Sequence, residues 1–389
     1  MRLRVQIPPV EPTVMVQPEE CPYADCQGKY FKLHQQRCNK AVRDTKYERV
    51  EVYRRKCLRC QRTHRVYPHG VSEAQQTDRL KGASVMLYVL GISYRGVEDM
   101  LTALGFYLSH SSVYRNVQAA GEKVLQLRQA WLKQRCRGVR VVGADLTYVK
   151  CKGEEVVIGV AVDAQQGITL DIEVLDNQTA KTIQAWLQPL LEATGAEVLT
   201  TDDADAFKTV ADEAGVKHQV CRRHVTSNVL DFIAKTAERI LNKPPAVPKG
   251  LEVSPEQLLA DLETLEWIML GHPGQGEQLL REMFLRYVDA VPPKKGRRAT
   301  IWYRMRNHLL HLWDHWNRLI CYRTLGHSKN LLLDATNNST ERAIGWSVKD
   351  RYRTMRGYKR DTSILNVASL TAWLLERPAG YDMSPLFAS

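Results

Sequence analysis

Two aspartates stand where a polyvalent cation would be needed, and one glutamate heads an otherwise basic stretch. Asp145 interrupts the apolar run VRVVGADLTYVKC (139–151), and Asp202 follows EVLTT (197–201), with Asp203 next to it. Glu341 heads TNNSTERAIGWSVKDRYRTMRGYKR (336–360), a stretch otherwise dominated by Arg and Lys. An aspartate inside a buried strand is costly unless its charge is compensated. Carboxylates held together repel unless they share a proton or bind cations. Oxygen ligands suit Mg²⁺ or Mn²⁺, and two such ions about 3.5–4 Å apart can serve phosphodiester chemistry. Taken singly, Asp145 reads equally well as a hydrogen-bonded side chain and Asp202 as a helix cap. The pair is what points to a site.

A second set of ligand-type residues lies near the start. Cys21 and Cys26 form a C-x4-C pair, and Cys57 and Cys60 a C-x2-C pair. Two thiolate pairs flanking a ribbon-like stretch, RDTKYERVEVYRRKC (43–57), can close a tetrahedral zinc site. Cys38, His34 and His64 compete as ligands, and unliganded cysteines in a small core are the plainer reading. A module of about 50 residues has little core of its own, which favours a metal staple.

The elements that must position these groups follow from periodicity. Residues 139–151, 155–164 and 168–175 read as three strands joined by KGEE and QQG turns. TAKTIQAWLQPLLEATG (179–195) has helical spacing interrupted by Pro189. Strand 197–201, a helix and strand 216–220 complete the order βββαβαβ, that of a ribonuclease H-like fold. In that fold the first and fourth strands are neighbours, so Asp145 and Asp202 face each other. The 139 positions from Asp202 to Glu341 imply a helical insert before the last helix. Its tail, 299–325, reads as one long helix whose Trp302, Trp313 and Trp316 belong to a core or stack on unpaired bases. Upstream, 77–124 parses as three helices, with Gly91 and Gly105 ending the first two and Ser93 and Ser109 capping the next. This suits a helix-turn-helix or a plain three-helix unit; in the former, Ser111, Ser112, Tyr114 and Arg115 would meet DNA.

At about 100° per residue, Glu341, Gly345, Val348 and Tyr352 share one helical face. Arg342, Lys349, Arg353 and Arg356 form a stripe beside it, read either as a solvated face or as a rail for DNA phosphates.

With these residues in view, the chain resembles the DDE transposases of bacterial insertion sequences. It is similar to the Mutator-like group, in which a zinc module and a helix-turn-helix precede an RNase H-like core. ADLTYVK matches the first-acid motif and gives Asp145; NNSTERAI matches the third and gives Glu341. VLTTDDADAFK matches the second and gives Asp202, with Asp203 standing where many relatives have glycine, so the choice between the two stays open. VCRRH places Cys221 and His224 in a C-x2-H after the last core strand, at most half a zinc site and read as structural. The resemblance spans roughly residues 21–375. It implies Asp145, Asp202 and Glu341 as catalytic ligands of two Mg²⁺ (or Mn²⁺), and a structural Zn²⁺ on Cys21, Cys26, Cys57 and Cys60. The implied partners are double-stranded DNA, as terminal inverted repeats and as target, and further copies of the chain in a dimer or higher oligomer. The expected organisation is a tail (1–20), a zinc-ribbon-like module (21–70), a helix-turn-helix domain (76–135), a first core part (138–225), a helical insertion (226–335) and last core helices (336–380). Two rival readings share these features: a domesticated DNA-binding regulator and an RNase H-like structure-specific nuclease.

Bulk properties agree. The chain has 389 residues, 44% of them hydrophobic, which suits two or three domains. No apolar run is long enough for a membrane span, and the N-terminus lacks a signal-type apolar core. A cytoplasmic, nucleoid-associated prokaryotic protein is expected. Of the net charge of +12, +10 falls between Lys29 and Arg65, where 13 Lys/Arg meet three acids. That concentration suits a nucleic-acid-binding arm.

Overall fold

The computed structural model describes residues 3–135, 138–329, 331–355 and 357–387. Arg356 therefore lies outside the described residues.

The chain opens with an antiparallel sheet of β1 (Glu11–Val16), β2 (Phe31–Ala41), β3 (Arg49–Cys57) and β4 (Thr63–His69), in the order β1-β4-β3-β2. Residues 1–20, expected to be a tail, thus supply an edge strand: Glu11, Met15 and Val16 pair with His69, Pro68 and Tyr67. Backbone pairing, which needs no large apolar side chains, is why composition hid it. A buried ion pair of Arg79 with Asp44 (3.0 Å), joined by the Thr77 hydroxyl (2.6 Å), ties this sheet to the next helix.

Helices α1 (Asp78–Val89), α2 (Tyr94–Ala103) and α3 (His110–Arg135) follow. The Thr77 and Ser93 hydroxyls accept the N–H of Leu80 and Gly96, and Ser109 Oγ accepts that of Ser112. Gly91 and Gly105 take φ of 108° and 87°, values that favour glycine and end the first two helices.

Five strands form the central sheet: β5 (Val141–Cys151), β6 (Glu154–Asp163), β7 (Ile168–Leu175), β8 (Val198–Thr201) and β9 (Lys217–Val220). Their order is β7-β6-β5-β8-β9, antiparallel across β7, β6 and β5 and parallel from β5 through β8 to β9. This is the order and direction of a ribonuclease H-like sheet. Between β7 and β8 runs α4 (Ala180–Thr194), and between β8 and β9 runs α5 (Asp205–Glu213). Pro189 does not interrupt α4. The cost of about 3 kcal/mol for an interior proline is offset by burial of Leu187, Leu190 and Leu191, each contributing about 1.5–3 kcal/mol.

The insert comprises α6 (Arg222–Asn242), α7 (Pro255–Gly271), α8 (Gly276–Arg286), α9 (Ile301–Asp314), α10 (Trp316–Leu319) and α11 (Cys321–Lys329), most of it around a core of its own. Trp302 and Trp316 are fully buried in that core, and Trp313 packs against Phe284 at its edge. The expected long helix over 299–325 is broken at His315 and Ile320. Buried Gln219 of β9 takes up the backbone groups this frees. Its amide donates to Leu319 O (3.2 Å) and accepts from Tyr322 N (2.7 Å), fastening the insert to the sheet edge.

The chain closes with α12 (Asn338–Ile344), a π-helical turn (Gly345–Lys349), α13 (Asp350–Arg353) and α14 (Asp361–Glu376). The π turn corrects the uniform helical wheel. One extra residue per turn rotates everything after it by about 100°, so Arg353 leaves the straight stripe that Arg342 and Lys349 would define. Arg351 becomes wholly buried, its guanidinium 3.9 Å over the Tyr88 ring.

Candidate functional site

The central strand carries the first acid. Asp145 lies on β5, which pairs with β8 in parallel; Gly143 opposes Thr200, so the register carried two residues on sets Asp145 against Asp202. The two carboxylates sense each other. Burial, then the charge of Asp202, pushes the Asp145 carboxyl up to about 6, against a hydrogen bond from Leu146 N (2.7 Å). Asp202 is also raised, chiefly by burial, and accepts the Ala204 N–H at 3.2 Å.

Glu341 is brought in by the N-terminus of α12. Asn337 donates its amide to Ala144 O (3.0 Å), accepts the Thr340 hydroxyl (2.6 Å), and its carbonyl receives the Glu341 N–H (3.1 Å). Gly143 permits this approach, since a Cβ there would collide with Thr340 Oγ1 and crowd Asn337. Asn337 therefore clamps the third acid to the strand of the first. Glu341 Oε1 is buried without a hydrogen-bond partner. His224 Nε2 stands 3.4 Å from Oε1, and Arg223 Nη1 3.9 Å from Oε2.

Asp203 is differently employed. Lys208 Nζ lies 2.8 Å from Oδ1 and His311 Nε2 2.9 Å from Oδ2. Burial raises its pKa, but the hydrogen bonds of His311 and Lys208 prevail and hold the carboxyl below its ordinary value. Asp203 is thus saturated by protein groups, whereas Asp202 is left open. Nothing in the sequence marked His311 for this, because it lies 108 positions away on the insert.

Two raised carboxyls and an orphaned carboxylate oxygen are what hard divalent cations neutralise, so Asp145, Asp202 and Glu341 fit as their ligands.

The four N-terminal cysteines also converge. Cys21 Sγ is 3.7 Å from Cys60 Sγ, and Cys26 Sγ is 3.9 Å from Cys57 Sγ. All four sulfurs lie within 4.8 Å of one another. Metal–sulfur bonds of about 2.3 Å give tetrahedral S–S edges of about 3.8 Å, which these distances match. Gly28 backs the cluster; a Cβ there would strike Cys57 Sγ. The backbone N–H of Arg62, with its guanidinium, draws the Cys60 thiol down to about 6, while burial pushes Cys21 up to about 12. The competing ligands fall away: Cys38 Sγ lies against Val52 O, His34 is exposed, and His64 packs edge-on to Phe31.

Of the candidate DNA contacts on α3, Ser111 and Arg115 are exposed. Ser112 is buried and bonded to Ser109, and Tyr114 packs on Tyr94 with its hydroxyl 3.3 Å from Ser363. Arg342, Lys349 and Arg353 are exposed. Among the described residues no helix is long and apolar enough to cross a membrane.

Residues 69–244 match the family model described as "Transposase, Mutator family". Over 118 residues the chain is 32% identical to the transposase for insertion sequence element IS257 in transposon Tn4003 of Staphylococcus aureus. The same identity holds for the transposase for insertion sequence-like element IS431mec of Staphylococcus aureus. Each alignment takes in 30% of this chain and 51% of the relative, so the chain spans about half the length of the curated relatives it matches. Among solved structures, the magnesium-bound catalytic core domain of HTLV-2 integrase (dimeric form) is 19% identical, covering 34% of this chain and 86% of that one, with a TM-score of 0.19. The catalytic core domain of BIV integrase is 14% identical, covering 33% and 99%, with a TM-score of 0.18. At such scores the superpositions decide nothing; the fold rests on strand order. Over these stretches the chain is similar to insertion-sequence transposases.

Proposed function

We propose that this chain is a DDE transposase that cleaves the ends of an insertion sequence and joins them to target DNA, with Asp145, Asp202 and Glu341 as its acids. The observation that supports this most is that Asp145 on β5, raised to about 6, feels the charges of Asp202, just past β8, and Glu341 on α12, whose Oε1 is buried without a hydrogen bond. In the first step a water oxygen bonds to phosphorus at the element's end, the P–O3′ bond breaks, and the 3′-oxygen leaves with a proton. In the second, that 3′-oxygen bonds to a target phosphorus and displaces another 3′-oxygen. Two Mg²⁺ (or Mn²⁺) held by the three acids would supply Lewis-acid stabilisation of the attacking and leaving oxygens. The chain itself contributes positioning: Asn337 sets Glu341, and Lys208 with His311 keeps Asp203 out of the site. Asp202 is accordingly the second acid.

The cysteine cluster would bind structural Zn²⁺ in a ribbon-like module (21–70), and α2 with α3 would act as a helix-turn-helix (76–135). Together they would read the terminal repeats, with Ser111 and Arg115 facing DNA while Ser112 and Tyr114 hold α3 in place. The core (138–225 and 336–380) and insertion (226–335) would act on DNA as at least a dimer, since two ends must be paired. A DNA-binding regulator would have no use for three converging acids, and a structure-specific nuclease little use for two DNA-reading modules.

Asp145→Ala should abolish end joining in Mg²⁺, a loss of at least about 10³-fold, while end binding in a gel-shift assay persists. Joining that survives the substitution would overturn the assignment.

A further inference from the structure

The acid site shares one member with a second, chemically different cluster. Cys221, His224 and Glu341 place a thiol sulfur, an imidazole nitrogen and a carboxylate oxygen within 4.8 Å of one another. Cys221 is wholly buried at the N-terminus of α6, where it caps nothing; its sulfur receives only the Asn337 N–H at 3.4 Å. Glu341 Oε1 and His224 Nδ1 are both buried without hydrogen-bond partners. Structure around the cluster is firm: Cys221 N donates to Thr201 O (2.7 Å) and Arg222 N to Ala335 O (2.9 Å).

This set is soft where the acid trio is hard. Mg²⁺ prefers oxygen and does not take thiolate, whereas sulfur, nitrogen and one carboxylate with an open fourth position suit Zn²⁺. Zinc–ligand bonds of about 2.0–2.3 Å set tetrahedral donors about 3.3–3.8 Å apart. The donors, within 4.8 Å of one another, would have to draw slightly closer around buried Cys221, and the half-buried His224 and Glu341 are the side chains that would move.

We propose that Cys221, His224 and Glu341 form a Zn²⁺ site that competes with the acid trio for Glu341. An ion held there withdraws Glu341 from Asp145 and Asp202, so Zn²⁺ acts as an off-switch that Mg²⁺ alone does not provide. The binding site stands on its own geometry; the inhibition rests on the transposase reading.

The test uses the full chain, saturated with Zn²⁺ and freed of excess, with metal counted by plasma mass spectrometry. Two zinc ions per chain are expected, one on the four N-terminal cysteines and one here. Cys221→Ser, nearly isosteric, and His224→Ala, on a part-exposed side chain, should each hold one. In Co²⁺-substituted protein, the thiolate charge-transfer absorption should fall by about one-fifth in Cys221→Ser, from five sulfurs to four. One zinc in the wild-type chain, or two in both variants, overturns the proposal whether or not joining is observed. Where joining is observed in Mg²⁺, the zinc concentration that halves it should rise at least tenfold in Cys221→Ser, each protein being scaled to its own uninhibited rate. An unchanged midpoint overturns the switch.

Discussion

The cysteine cluster and the acid trio both gather metal-type ligands, yet they are built in opposite ways. The four sulfurs come from two close pairs flanking one ribbon, and their spacing of 3.7 and 3.9 Å already matches a tetrahedral ion. The acids come from positions 145, 202 and 341, joined by a strand register and one asparagine clamp. The first arrangement is complete in its geometry, so an ion bound there would act by holding the fold. The second is left electrostatically unbalanced, with Asp145 raised and Glu341 Oε1 buried without a hydrogen bond, so under the proposed function its ions would act in chemistry.

That contrast predicts different failures. Cys57→Ser removes one of four ligands from a module whose own apolar core is five buried valines. It should lose its zinc and leave the first sheet unfolded, because metal binding in such modules is folding energy. Hydrogen exchange should then show protection lost over 11–69 and retained in β5 and β6. Asp145→Ala should do the reverse, keeping protection and losing chemistry. Loss of protection in both variants would erase the distinction.

The two adjacent aspartates sharpen it further. Asp202→Ala should abolish joining with little effect on stability, since its carboxylate is tied only to Ala204 N. Asp203→Ala should cost about 1–2 kcal/mol of stability, because His311 and one contact of Lys208 lose their partner. Joining by the Asp203 variant should fall far less than by the Asp202 variant. Equal rates would reopen the assignment that the sequence left undecided.

A smaller effect follows from the unbalanced charge. The folded Asp145 carboxyl keeps its proton to about pH 6, while the unfolded one releases it near 3.8. Metal-free stability from this group is therefore full below about pH 3.8 and is lost as pH rises through 6. Asp145→Asn, which never charges, should match the wild type near pH 4 and exceed it by about 2 kcal/mol at pH 7 in chelator. Saturating Mg²⁺ should close that gap. Urea denaturation at the two pH values measures it, and a gap that persists in Mg²⁺ would argue against metal at Asp145.

What the sequence disclosed follows the same division. Caps at Ser93 and Ser109 and the strands around Asp145 were readable because each depends on neighbours a few residues away. Asp145 and Asp202 were paired by strand order, whereas Glu341 joined them only through a motif, since no local rule joins positions 145 and 341. His311 and Lys208 on Asp203 escaped notice because the histidine arrives from the insert, 108 positions away. β1 escaped because its contribution is backbone pairing. The π turn escaped because a helical wheel assumes one angle throughout, and that assumption shaped the basic stripe.

The stripe carries the smallest expected effect. Arg342 precedes the π turn and Lys349 is its last residue, both exposed. Arg353 follows the turn and sits 3.4 Å from Asp350, which competes for its charge. Neutralising Arg342 and Lys349 together should remove two phosphate contacts and flatten the dependence of log binding constant on log salt by about 1.8, at about 0.9 per phosphate. Arg353→Gln should change that slope by about half a phosphate or less, because its partner is already an acid of its own helix. Fluorescence anisotropy with end-bearing duplex across salt concentrations gives all three slopes. An equal change for Arg353→Gln would mean that DNA displaces Asp350 and that the rail continues past the turn. An unchanged slope in the double variant would mean that these cations are solvated, and that phosphate binding belongs to the N-terminal sheet alone.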